Sequence, residues 1–194
     1  SPNNAAAWDT LASMYTNARP VAGNATEWEI LALARTGELE PTNPTTRLRL
    51  GVAYLVQNKI PEAKKELEAA ITLKPDYVDA FLLLARLHES EGDLNAALIR
   101  AGDAVRFAPE SAEVLYEFAR LSYNRGTPDD LVRAEQALQI VVQADQNNAN
   151  ALFSLGLLAE RRGDVGRALN LYRRAAEFAP ENAEVRERIR VLSQ

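Results

Sequence analysis

Residues 44–75 read PTTRLRLGVAYLVQNKIPEAKKELEAAITLKP. Two short amphipathic patterns lie end to end here, one carrying Leu50, Gly51 and Tyr54, the other Ala63, Leu67 and Ala70. Large and small residues at three- and four-residue steps are the mark of helices that bury one face. Asn43 precedes the first pattern as an N-cap, and Pro44 fits the first helical position, where its missing N–H costs nothing. The small residues Gly51 and Ala63 let two such helices approach closely. The stretch therefore predicts a helix–turn–helix ending at Pro75.

The same unit recurs along the chain. Pro41, Pro75 and Pro109 are 34 residues apart, and Pro180 follows 71 residues after Pro109. In that register Leu50-Gly51 returns as Leu84-Ala85, Phe118-Ala119 and Leu155-Gly156. Ala63 returns as Ala97, Ala134 and Ala168, and Ala70 as Ala104, Val141 and Ala175. Asn4, Ser111, Asn148 and Asn182 stand where Asn43 stands, as N-caps of further first helices. Thr127-Pro128-Asp129-Asp130 supplies a similar start for a second helix, next to three extra residues that add about one turn.

This pattern resembles the tetratricopeptide repeat, a helix–turn–helix unit of about 34 residues. The resemblance implies an all-α fold: a right-handed α-solenoid of about five units at 5–43, 44–77, 78–111, 112–148 and 149–182, closed by a helix at 183–194. At the start, Trp8-x-x-Leu11-Ala12-x-x-Tyr15 matches a first helix, while counting back from Pro41 places Glu29 and Thr36 where small residues belong. Trp8 and Trp28 are expected in the core of that divergent unit. Pro2-Asn3-Asn4 occupies the place where a unit ends, which predicts further repeats before this chain. In the closing helix Val185, Ile189 and Leu192 form the apolar stripe, with Arg186, Glu187, Arg188 and Arg190 toward water. An array without such an end would self-associate through it.

Composition narrows the chemistry. The 194 residues carry 22 Lys plus Arg against 27 Asp plus Glu, a net charge of −5, which argues against a nucleic-acid partner because that affinity comes from neutralising phosphates. With no Cys there is neither a disulfide framework nor a thiolate metal site, and the compartment stays open. The first ten residues lack the features of a signal peptide, and no apolar run is long enough for membrane insertion. His88, the only imidazole, falls where Tyr15 and Tyr54 stand in other units and reads as a packing residue. Carboxylate pairs such as Asp129-Asp130 read as caps and solvated charge. No phosphate loop, catalytic set, metal cluster or cofactor site is expected.

The expected function is a non-catalytic protein–protein interaction scaffold, because the resemblance implies a concave groove lined by first helices. Carried over position by position, the groove consists of Leu48, Arg49 and Val52, then Leu82 and Arg86, then Tyr116, Arg120 and Tyr123, and finally Phe153 and Leu157. A protein or peptide partner is implied, with Arg86 and Arg120 meeting its carboxylates. The Lys/Asn/Arg set that holds acidic chaperone tails in some repeat proteins is absent, its places being taken by Asp9 and Ser13, Leu48 and Val52, or Leu82 and Arg86. The first unit, with Thr26-Glu27-Trp28-Glu29 and Glu38-Leu39-Glu40-Pro41-Thr42-Asn43-Pro44, is also similar to repeats attached to bacterial O-antigen ligase and polymerase membrane proteins. On that alternative the chain is the soluble tail of an envelope polysaccharide enzyme.

Overall fold

The computed structural model describes residues 3–194; Ser1 and Pro2, and with them part of the expected repeat end at Pro2-Asn3-Asn4, lie outside the described residues. The described chain is all-α, with eleven helices and no strand. It divides into two compact units, one ending at Glu91 and the other starting at Gly92. The first holds α1 (Ala5–Ala18), α2 (Ala25–Leu39), α3 (Pro44–Val56), α4 (Ile60–Leu73) and α5 (Val78–Ser90). The second holds α6 (Leu94–Phe107), α7 (Ala112–Arg125), α8 (Pro128–Ala144), α9 (Ala149–Arg161), α10 (Val165–Phe178) and α11 (Ala183–Leu192). Within each unit, helices pack on their neighbours in sequence, most extensively α1 on α2, α3 on α4, α7 on α8 and α9 on α10.

Helix starts follow local chemistry. The side chains of Asn4, Asn43, Ser111, Asn148 and Asn182 each accept a hydrogen bond from a backbone N–H in the first turn that follows, satisfying donors that the helix itself leaves open. Thr127 and Asp130 form a reciprocal capping box at the start of α8, which runs 17 residues against 14 in α4, α6 and α10.

The cores are built from the small residues of the repeat and the large side chains they admit. In the first unit Ala12, Ala32, Leu33, Leu50 and Ala53 form one cluster, and Ala63, Leu67, Ala70, Ala80 and Leu84 another. In the second unit a single cluster runs from Leu115 through Ala134, Leu138, Leu155 and Ala168 to Tyr172 and Val185. Val185 carries the closing helix into that core at 1% exposure. Gly156 shows why the small positions matter. A β-carbon there would sit 2.4 Å from Cε1 of Tyr172, a ring that is fully buried. Gly156→Ala should therefore destabilise by about 1–3 kcal/mol through overpacking, although alanine is the better helix former. Gly102, in mid-α6, has nothing nearer its absent β-carbon than Cε2 of Phe118 at 3.9 Å, so Gly102→Ala should stabilise by up to about 1 kcal/mol. Urea midpoints that move in the same direction would contradict this account.

The first helix pair departs from its expected packing. Trp28 is 48% exposed and stacks on Tyr15 at 6.3 Å, instead of filling the core. The buried stripe of α2 runs Ala25, Glu29, Ala32, Leu33 and Thr36, and Trp28 lies about 100° around the helix from Glu29. Glu29 is 2% exposed because Arg19 and Thr16 reach it. Asp130 is likewise buried, at 1% exposure, and is not the solvated cap expected from its sequence. Arg125 and Thr127 enclose it.

Candidate functional site

In the second unit, the residues that α7 and α9 do not bury against their partners share one face. On α7 the buried set includes Val114, Leu115, Ala119 and Ser122, which leaves Tyr116, Arg120 and Tyr123 at steps of four and three residues. On α9 the buried set includes Leu152, Leu155, Gly156 and Ala159, leaving Asn150, Phe153, Ser154 and Leu157. These two faces, with Leu138 of α8 at the base, line a recess of about 360 Å³. Its walls are mainly aromatic and aliphatic, and its polar groups sit at defined places. The hydroxyl of Tyr116 donates to Oδ1 of Asn148 at 3.2 Å. Burial raises the Tyr116 pKa well above the usual phenol value, against a smaller opposing hydrogen bond with Ser154, so the wall presents a neutral phenol. Phe153 packs against Tyr172 with ring centroids 5.5 Å apart. At the rim, Nε of Arg120 donates to Glu117 at 3.1 Å.

A second recess of about 310 Å³ adjoins it, lined by Tyr123, Leu157, Glu160, Arg161 and Arg188. Tyr123 and Leu157 are walls of both. Arg188 donates to Oε1 of Glu160 at 3.0 Å, and the hydroxyl of Tyr172 donates to Oε2 at 2.7 Å. The pKa of Tyr172 is strongly raised, first by burial and then by that carboxylate. Arg161 lies over the Tyr123 ring, 4.9 Å from its centroid.

Of the ten groove residues expected from the sequence, Tyr116, Arg120, Tyr123, Phe153 and Leu157 therefore meet around one recess. The other five belong to the first unit. Arg49 is spoken for, since its guanidinium donates to the Asp9 carboxylate and to Oγ of Ser13, the latter at 3.1 Å. Leu48 packs against the cluster of Ala63, Leu67 and Leu84. Leu82 is 4% exposed, which leaves it no surface for a partner. Val52 is half-buried and Arg86 exposed. Two residues outside the expected groove complete the site in the second unit: Arg161, and Arg188, which the sequence places toward water but which pairs with Glu160. Arg161 ends its helix and Arg188 sits on the closing helix, so neither falls in the repeating pattern. No His lines either recess; His88 is partly buried in the first unit, its Nδ1 3.8 Å from Glu91. Among the described residues no group of three or more His, Asp or Glu is placed to hold a metal ion, and no helix is long and apolar enough to cross a membrane.

Within each unit, helix pairs that close on small residues and pack on their neighbours in sequence define a helical-repeat protein. A family model for the cytochrome c-type biogenesis protein H TPR domain matches residues 66–186, and a tetratricopeptide-repeat model matches residues 44–77. The chain belongs to the tetratricopeptide-repeat family. Protein O-mannosyl-transferase TMTC1 of Mus musculus is 22% identical over 157 residues, 80% of this chain and 17% of that protein. TPR repeat-containing protein PA4667 of Pseudomonas aeruginosa is 27% identical over 141 residues, 72% of this chain and 23% of that protein. The chain thus spans about a fifth of the length of the curated relatives it matches. Among solved structures, YrrB, described as a TPR protein with an unusual peptide-binding site, superposes with a TM-score of 0.76 at 20% identity, covering 95% of this chain and 91% of its own. MamA gives a TM-score of 0.75 at 18% identity, covering 93% and 94%.

Proposed function

We propose that the chain is a non-catalytic protein-interaction module that holds a partner segment in the recess between α7 and α9. The observation that carries this reading is the recess itself. An apolar hollow with a polar rim of Glu117, Arg120, Asn150 and Ser154 has the make-up of a site for an anchoring side chain. The fold relative YrrB, described as having an unusual peptide-binding site, supports the same use. Burying a leucine-sized contact contributes about 1.5–3 kcal/mol, roughly 10–100-fold in Kd. A displayed random dodecapeptide library panned against the folded chain should therefore enrich peptides with an aromatic or large aliphatic anchor. Leu157→Gln should weaken the selected peptides about tenfold or more, with a helical spectrum like that of the parent. Selection of the same peptides, at the same affinity, by Leu157→Gln would remove the recess from the binding site.

A second reading makes the chain the repeat portion of a longer envelope protein that transfers saccharides. It is supported by the match to a much longer relative whose name is that of a sugar transferase. A multi-span hydrophobic segment in the complete gene would establish this arrangement, and a gene without one would remove it.

A further inference from the structure

Arg161 ends α9 in a setting that holds its guanidinium without neutralising it. Nη1 donates to the backbone carbonyl of Tyr123 at 2.7 Å, and the group lies over the ring of the same residue at 4.9 Å. On another side it packs against Gly126, where a β-carbon would come within 2.2 Å of Nη2. A carbonyl, a ring face and a glycine orient the cation but carry no formal negative charge. Beside it the carboxylate of Glu160 has both oxygens engaged, one by Arg188 and one by Tyr172. The recess around Arg161 thus sets two guanidinium groups against one carboxylate, a surplus of one positive charge next to the apolar hollow.

We propose that Arg161 reads a carboxylate on the partner: a segment whose apolar side chain fills the Tyr116–Phe153–Leu157 recess sets an Asp or Glu side chain against Arg161. This rests on the interaction reading above and names its chemistry. A guanidinium held over a ring face and fixed by a backbone carbonyl is pre-organised for a charge-assisted hydrogen bond, which is about twice as strong as a neutral one. The single surplus charge matches a monovalent carboxylate. A phosphate dianion would be left with uncompensated charge close to Glu160. Arg120 is paired with Glu117 across one helical turn, so the acidic contact falls at the Arg161 end of the hollow.

The same dodecapeptide library, panned against the wild type, Arg161→Gln, Arg161→Lys and Leu157→Gln, tests this. The wild-type pool should carry Asp or Glu at a fixed spacing from the apolar anchor. Arg161→Gln should keep the anchor, lose the acidic position and bind a synthesised wild-type-selected peptide about tenfold more weakly. Arg161→Lys, which keeps the charge, should keep the acidic preference even if the Gln variant melts early. An acidic position that persists in the Arg161→Gln pool, or an anchored wild-type pool with no acidic position, overturns the assignment and leaves the groove reading standing. A Leu157→Gln pool identical to that of the wild type overturns both.

Discussion

Arg19→Met should cost about 3–5 kcal/mol, because it strands a buried charge. Glu29 is 2% exposed, and Nε and Nη2 of Arg19 grip its two oxygens at 2.7 Å each. With the arginine gone, the hydroxyl of Thr16, which donates to Oε1 at 2.7 Å, stays as a single neutral donor. Glu29→Ala is milder, about 1–3 kcal/mol, since Arg19 is 23% exposed and can turn to water. The double variant should recover part of the Arg19→Met loss, as buried pairs replaced by apolar side chains often do. Trp8 and Trp28, the only tryptophans, both lie in this helix pair, so their fluorescence during urea unfolding reports the right part of the chain. A double variant less stable than Arg19→Met would mean that the pair itself, and not the stranded charge, carries the energy.

Arg125→Leu should be of similar size, about 3–5 kcal/mol near neutral pH, and it should also change the response to acid. Asp130 is 1% exposed and accepts from Nε of Arg125 at 2.7 Å and from the Thr127 hydroxyl at 2.6 Å. These bonds, Arg125 foremost, outweigh burial and lower its pKa to about 2. An unfolded aspartate titrates near 3.9, so the depressed value contributes stability in full above that pH. The contribution, on the order of 2 kcal/mol, is lost as pH falls from about 4 through 2. In Arg125→Leu only the Thr127 hydrogen bonds are left to oppose burial of the charged form. The carboxyl pKa rises, and acid should then relieve the stranded group. Plotted as urea midpoint against pH, wild type and variant should converge toward acid; parallel curves would show that Asp130 is not the group responsible.

The parts of this structure legible in the sequence are those set by local chemistry repeated at a fixed interval. Asn43, Ser111 and Asn148 announce helix starts because a cap needs only its own first turn. Gly51 and Gly156 announce close helix contacts because each recurs in register with the bulky residue it admits, Leu67 and Tyr172. Legibility fails where a residue is placed by a neighbour outside the repeat. Glu29 reads as an irregularity until Arg19, in the turn between α1 and α2, is seen wrapped around it. Leu82 and Arg49 occupy groove positions by count, yet one is buried and the other is taken by Asp9 and Ser13. The candidate site shows the same division. Tyr116, Phe153 and Leu157 follow from register, whereas Arg161 and Arg188 depend on how the last turn of α9 and the closing helix settle.

Gly126 joins two constraints that are usually treated apart. Its backbone turns with φ of 72°, a conformation other residues adopt at a cost, and the space above it is filled by the side chain of Arg161. Any side chain at position 126 would strain the turn and evict that guanidinium together. In a mutational scan scored by ligand capture, the turn would therefore score like a contact residue, although it touches no ligand. Such a signal would look like communication across the domain. Its cause would be plain exclusion: two groups claiming the same few cubic ångströms.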